Sequence, residues 1–361
     1  MFFYIIIVAI LIVLLFFCLV ETVPQGISYK PTKKMSQKVF ERITLAFLLF
    51  LWFLTAFRGN TIGNDTNNYI YYFKEISKYG VDKAHRIEMG YQYFCLFISK
   101  INANPQFFLV ISSAICYIGV GIYIFKYSNN KIFSLVLLFA LFFSMFTNTI
   151  RQNLAMTIVL WAYHFLKNKK YIFAISLIFL ATIFHKSALI AILLFFYKLA
   201  PYKQKTVFML SLMIIALSIT GVVNTILRVI LPSYTGYFEG VQAGSGRLMT
   251  FIGCIRNAFF YFLVYKVYKK EGKFNRLVLW NFALLLFLQS FGFVVNLFDR
   301  VSSYFLLIGI VELTNICCSE KLKNRDLWMF AIGCGLLLFF LVSIILRPEW
   351  NHLYPYLFFW E

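Results

Sequence analysis

Apolar runs of about 15–20 residues, each closed by a short polar stretch, recur along the chain. A hydrocarbon core is crossed by ~20 apolar residues of helix, so runs of this kind predict membrane spans. They fall at 2–20, 43–57, 107–125, 132–147, 149–166, 207–230, 249–268, 277–296, 301–318 and 327–346. The longest polar segment, 58–90, follows the second span. After it, Gly90 to Lys100 mixes aromatic and polar positions, which predicts an interfacial helix inside an external loop of 58–106. A second external segment, 231–248, carries Pro232, Gly236, Gly240, Gly244 and Gly246, a flexible composition suited to a lid.

Residues 171–200 are long for one span and short for two. Lysines flank both ends: Lys167, Lys169 and Lys170 before, and Lys198, Lys203 and Lys205 after. Lysine-rich loops mark the cytoplasmic side, so the segment is expected to form a hairpin of two short helices broken near His185-Lys186-Ser187. A single span would place the lysine loops 266–276 and 319–326 outside. Non-helical backbone at membrane depth is tolerated only where protein or a watery cavity covers it, so the break is a candidate cavity wall.

Composition agrees with this pattern. Of 361 residues, 61% are hydrophobic, 20% aromatic and 13% charged, against roughly 25% charged in a soluble domain. The expectation is an all-α, polytopic membrane protein forming a single transmembrane domain over 1–361, with about twelve helices (range about ten to fourteen). The net charge of +20 is dispersed through inter-span loops, as topology and anionic head groups require; no basic domain is offered to nucleic acid. The seven cysteines show neither C-x-x-C nor Cys/His spacing, so neither disulfide framework nor zinc site is indicated. Met1 to Val20 lacks a basic leader and an A-x-A site and is read as a retained span.

The two basic residue types sort differently. Lysines collect on the inner side, whereas Arg58, Arg86, Arg151, Arg228, Arg247, Arg256, Arg300 and Arg347 fall at span ends and in outer loops. A guanidinium at a helix mouth is costly and calls for an anion; its planar fork of donors suits phosphate. Arg58 opens a loop containing Gly63, Asp65 and Tyr69, although a solvated loop with a surface ion pair would read the same way. Thr147-Asn148-Thr149 supply N-cap residues before Arg151 and Gln152, so a helix end and a guanidinium coincide at an anion site; interfacial snorkelling is the alternative. His185 is suited to proton transfer near neutral pH, yet a lone histidine is commonly structural. Asp299 and Arg300 occupy a turn that they also have the chemistry to cap. Arg247 and Arg256 bracket the start of another span, with Arg256 inside the apolar stretch.

Arg58 with Gly63-x-Asp65-x-x-x-Tyr69, then Arg151-Gln152-x-x-Ala155, His185-x-Ser187-Ala188, Arg300-x-x-x-Tyr304-Phe305 and Tyr354-Pro355-Tyr356 run in order through almost the whole chain. In this pattern the chain resembles the EpsG family, relatives of Wzy-type bacterial polysaccharide polymerases. The resemblance implies an architecture similar to the lipid-linked-sugar-dependent membrane glycosyltransferases. It also implies joining of undecaprenyl-diphosphate-linked repeat units into capsule, O-antigen or exopolysaccharide on the outer side of the bacterial inner membrane. A chain-length regulator would be a partner.

On this reading a sugar hydroxyl attacks the anomeric carbon of the lipid-linked chain, and charge develops on the departing diphosphate. Arg58, Arg151, Arg256 and Arg300 are expected to stabilise it, with Gln152, Arg247, Tyr69 and Tyr304 contacting diphosphate or sugar. His185 is the expected base and Asp65 the residue that orients the acceptor, because a carboxylate among arginines is a weak base. No cofactor and no metal is expected. A flippase for the same lipid-linked sugar, and a ligase or acyltransferase using another acceptor, remain open readings. The absence of an internal repeat weakens the first.

Overall fold

A computed structural model describes residues 2–20, 37–82, 87–230, 247–295 and 297–361. The described chain is helical, with one isolated β-bridge between Arg58 and Phe358. The helices are α1 (Phe2–Val20), α2 (Gln37–Ala56), α3 (Thr66–Tyr79), α4 (Met89–Ile101), α5 (Pro105–Tyr127), α6 (Lys131–Asn148), α7 (Ile150–Lys167) and α8 (Tyr171–Phe184). A 3₁₀ helix (Lys186–Lys198) follows, then α9 (Gln204–Ile219), α10 (Val222–Ile230), α11 (Arg247–Glu271), α12 (Arg276–Phe291), α13 (Leu297–Cys317) and α14 (Arg325–Leu346). The helices fall into two compact units. One comprises Met1–Ile158, Phe179–Lys186 and Cys317–Glu361; the other comprises Val159–Ile178 and Ser187–Ile316.

Among the described residues, seven helices are long and apolar enough to cross a membrane: those within Phe2–Leu19, Lys38–Ala56, Pro105–Tyr127, Lys131–Asn148, Leu248–Glu271, Leu297–Cys317 and Arg325–Leu346. This makes the chain a polytopic membrane protein but does not support the expected twelve spans. The shortfall has identifiable causes. α8, α9 and α12 are apolar but shorter than a bilayer crossing. α7 has the length, but Arg151, Gln152, Asn153, His164 and Lys167 dilute its hydropathy. The second half of 171–200 is the 3₁₀ helix rather than an α-helix. The predicted interruption is present: α8 stops at Phe184, and the 3₁₀ helix begins at Lys186.

In the first unit, local sequence sets the helix starts. Asn104 accepts from the Gln106 N–H with Pro105 in the first turn of α5, and Asn130 accepts from the Phe133 N–H to open α6. The polar segment 58–90 holds a helix that the hydropathy pattern misses. α3 buries Thr66, Tyr69, Phe73 and Ile76, an i, i+3, i+7, i+10 stripe. α4 buries Tyr91, Gln92, Cys95 and Ile98 in the same way. The Phe73 and Phe108 rings stack at 4.9 Å, tying α3 to α5.

Gly63 is required by its backbone. Its φ is +81°, and an added Cβ would stand 2.6 Å from the Thr147 carbonyl oxygen. The C-terminal segment folds onto the ends of α1 and α2. Gly59 N–H donates to Leu357 O at 2.8 Å, Tyr4 OH donates to Leu353 O at 2.9 Å, and Tyr356 OH donates to Leu54 O.

In the second unit, α11 and α12 lie against α9. Asn275 caps α12 through the Val278 N–H. α12 is buried nearly throughout, including Asn281, Gln289 and Ser290.

Candidate active site

The site in the first unit is organised by Glu88, a residue outside the sequence-based candidates. Glu88 occupies the N-cap position of α4 in extended conformation and does not cap its own helix. Two residues on, Gly90 touches α8 so closely that an added Cβ would lie 2.7 Å from the Ile183 carbonyl oxygen. This backbone-to-backbone approach brings the Glu88 carboxylate to the point where α8 ends. There the Lys186 N–H donates to Glu88 Oε1 at 3.1 Å, and His185 Nδ1 stands 3.2 Å from the same oxygen. On the other side of the carboxylate, Arg151 Nη1 donates to Oε2 at 2.6 Å. The Arg151 guanidinium carbon also lies 5.9 Å from the Tyr69 ring centre and 6.0 Å from that of Tyr91, within cation–π range.

One carboxylate therefore holds a histidine, a guanidinium and the first N–H of a helix. Burial raises the Glu88 pKa, but the adjacent His185 and the charge of Arg151 outweigh it and hold the carboxyl at about 2. Glu88 is ionised throughout the physiological range. Its side chain is 10% exposed, while those of Arg151 and His185 each keep 25%. The His185 contact is a close approach without hydrogen-bond geometry, and with the carboxylate on the Nδ1 side of the ring, Nε2 is the nitrogen left for another partner. Arg151 Nε is buried with no partner among the described residues.

The other candidates in this unit take different places. Arg58 is 1% exposed; its Nε donates to Thr66 Oγ1 at 3.3 Å and its Nη1 donates to Thr55 O. These bonds tie the end of α2 to the start of α3, while Arg58 Nη2 is buried without a hydrogen-bond partner among the described residues. Asp65 precedes α3, and its N–H donates to Asn148 Oδ1 at 2.9 Å. The carboxylate beside His185 is Glu88. Tyr69 and Gln152 are buried. Thr147, Asn148 and Thr149 precede α7, and Thr149 O accepts from the Asn153 N–H at 2.9 Å. Asn148 serves the start of α3, Thr66 donates to Thr147 O at 3.3 Å, and Thr149 Oγ1 donates to Asn153 Oδ1 at 3.1 Å.

The second unit carries a separate polar cluster. Asp299 accepts from Gln289 Nε2 at 2.8 Å and from Thr250 Oγ1 at 2.9 Å, and Gln289 Oε1 accepts from Ser302 Oγ at 2.9 Å. Arg256 Nε donates to Asn257 Oδ1 at 3.0 Å. Arg300 is exposed. Tyr304 is 1% exposed, with its hydroxyl 3.1 Å from Ser187 Oγ. Arg247 begins α11, but its side chain lies outside the described residues, as do the side chain of Arg228 and the whole of Arg86 and of 231–246.

Sequence reasoning thus named Arg151, His185 and Tyr69, which the structure brings together, and missed Glu88 and Tyr91. One signal pointed to Glu88: in a chain with 34 basic and 14 acidic residues, it is an acid opening an aromatic helix.

The model of the EpsG family matches residues 42–358. No curated protein and no solved structure matches the chain.

Proposed function

The chain belongs to the EpsG family, and from that premise we propose a membrane glycosyltransferase that extends a polysaccharide by joining lipid-linked repeat units. The donor is a glycan on undecaprenyl diphosphate, the product is capsule, O-antigen or exopolysaccharide, and the site faces the outer side of the bacterial inner membrane. The observation that carries this reading is the Glu88-anchored pair of His185 and Arg151. An acceptor hydroxyl attacks the anomeric carbon of the donor. A new C–O bond forms, the bond to the diphosphate oxygen breaks, and the hydroxyl proton passes to His185 Nε2. Glu88 positions the ring and offsets the imidazolium charge, as the carboxylate of a nucleophile–base triad does. Arg151 faces the charge that develops on the departing diphosphate. Arg256, Arg300 and Tyr304 are assigned to substrate binding, and Asp65 to the acceptor. Every step uses side chains of this protein, so extension is proposed to be metal-independent.

Purified protein in liposomes, supplied with lipid-linked oligosaccharide, tests the reading. We expect a ladder of longer glycans that is unchanged by a chelator. Movement of the lipid-linked units across the bilayer without joining would replace this reading with a flippase. Extension abolished by the chelator and restored by a divalent cation would remove the metal-independent mechanism.

A further inference from the structure

α2 and α5 run antiparallel in the first unit. Gln106 near the start of α5 donates to Ala56 O at the end of α2, and Leu48 lies opposite Gly121. Between them runs an apolar groove of about 640 Å³, lined by Leu45, Leu49, Trp52, Gly121, Phe125 and Lys126 among others. Gly121 lets the two helices approach here, since an added Cβ would already meet the Leu48 methyl at 3.4 Å, and a larger side chain would have to enter the groove that Gly121 lines. The lining from Ala114 to Lys126 rises roughly 18 Å along the helix, about one leaflet of a ~30 Å hydrocarbon core.

One end of this groove is cationic. Lys126 lines it directly and is exposed. Arg42 precedes Leu45 and Leu49 on the same face of α2 and is exposed. With Leu48 opposite Gly121, stepping back to Arg42 and forward to Tyr127 covers the same rise, so Arg42 comes level with Lys126. The nearby Glu41 carboxylate pairs with Lys131 at 3.1 Å. Among the described residues, neither Arg42 nor Lys126 has an ion-pair partner. The Glu88 cluster belongs to the other end of α2, through Arg58, Thr66 and the Asn148–Asp65 contact. α2 has twenty residues, a rise of roughly 30 Å, so the two ends lie at opposite leaflets.

We propose that this groove seats one acyl chain of an anionic phospholipid, with the lipid phosphate held between Arg42 and Lys126. The hydrocarbon lining supplies the tail site, and the paired cations supply head-group selectivity. The cationic end lies in the leaflet away from the Glu88 cluster, which favours a bilayer phospholipid over the tail of a substrate processed there.

The test is native mass spectrometry of the full chain in detergent, titrated with phosphatidylglycerol and with phosphatidylethanolamine of the same acyl composition. Phosphatidylglycerol is expected to bind at least about tenfold more tightly. Arg42→Gln and Lys126→Gln are each expected to weaken it about fivefold, the effect of one basic residue on an anionic head group. Gly121→Phe should abolish the tail-dependent binding by filling the groove, and the two charge variants keep the test valid if that variant fails to fold. Equal affinity for the two lipids, unchanged binding in the charge variants, or displacement of phosphatidylglycerol by equimolar undecaprenyl phosphate would each overturn the proposal. The last outcome would assign the groove to a polyprenyl substrate.

Discussion

Glu88 works at the scale of single residues, because its two oxygens accept from Arg151 and the Lys186 N–H and lie beside His185 Nδ1. Glu88→Gln keeps the volume and one acceptor oxygen but removes the charge that anchors Arg151 and His185. Loss of one partner of a buried, hydrogen-bonded charge pair is strongly destabilising locally. We expect extension to fall by about 10²-fold or more while protein levels in the membrane hold. A variant that extends normally would remove Glu88 from the mechanism. The acid side of the stability profile gives a second reading. The Glu88 pKa falls from 4.5 to about 2 on folding, so its stabilising contribution is complete above about pH 4.5 and is lost as pH drops toward 2. Between pH 5 and pH 3 the wild type should therefore lose more thermal stability than Glu88→Gln. Equal losses would place the depressed pKa elsewhere. Arg151→Lys retains the positive charge but not the planar fork, which divides its donors between Glu88 and an incoming anion. Donor binding should weaken at least tenfold in a direct binding assay.

Elements matter through one close approach. Gly90 and Ile183 meet backbone to backbone, two residues after Glu88 and two before His185, so this contact sets the register between the start of α4 and the end of α8. Gly90→Ala adds only a methyl group, but it must push against a carbonyl oxygen that cannot swing aside. The expected result is a more than tenfold loss of extension, with helicity by circular dichroism unchanged. Normal activity in Gly90→Ala would mean that the helices part without disturbing the pair. Here the limits of sequence reading become physical. The break at His185 was legible because Lys186 and Ser187 interrupt an apolar run between lysine-rich flanks. α3 was not, because its buried stripe of Tyr69, Phe73 and Ile76 is interleaved with polar residues that lower its mean hydropathy. The Glu88–His185 contact was not legible either, since it depends on a helix crossing made possible by a glycine. The bonds of Arg58 to a carbonyl and a threonine were not legible for a related reason: a span-end arginine that donates to its own helix end has the same sequence signature as one that faces phosphate.

At the scale of the whole molecule, seven helices among the described residues meet the length and hydropathy of a span, and the lysine loops dictate which side each end should occupy. Lys203 and Lys273 are expected on the cytoplasmic face and Asn351 on the outer face. Cysteines placed at these positions, in a variant stripped of accessible native cysteines, can be probed with a membrane-impermeant thiol reagent on intact cells. Only the one at position 351 should label. Labelling at 203 and 273 would invert the topology and move the site to the wrong side for an outer-leaflet substrate. The central claim is that His185, held by Glu88, takes the proton of the attacking hydroxyl, and its most direct measurement separates binding from extension in one preparation. His185→Gln in reconstituted liposomes should bind lipid-linked donor within about twofold of wild type and extend it about 10²–10⁴-fold more slowly, because an amide keeps a hydrogen bond but does not accept the proton. Extension at near wild-type rate by His185→Gln would contradict the account, and so would a loss of donor binding large enough to explain the lost activity.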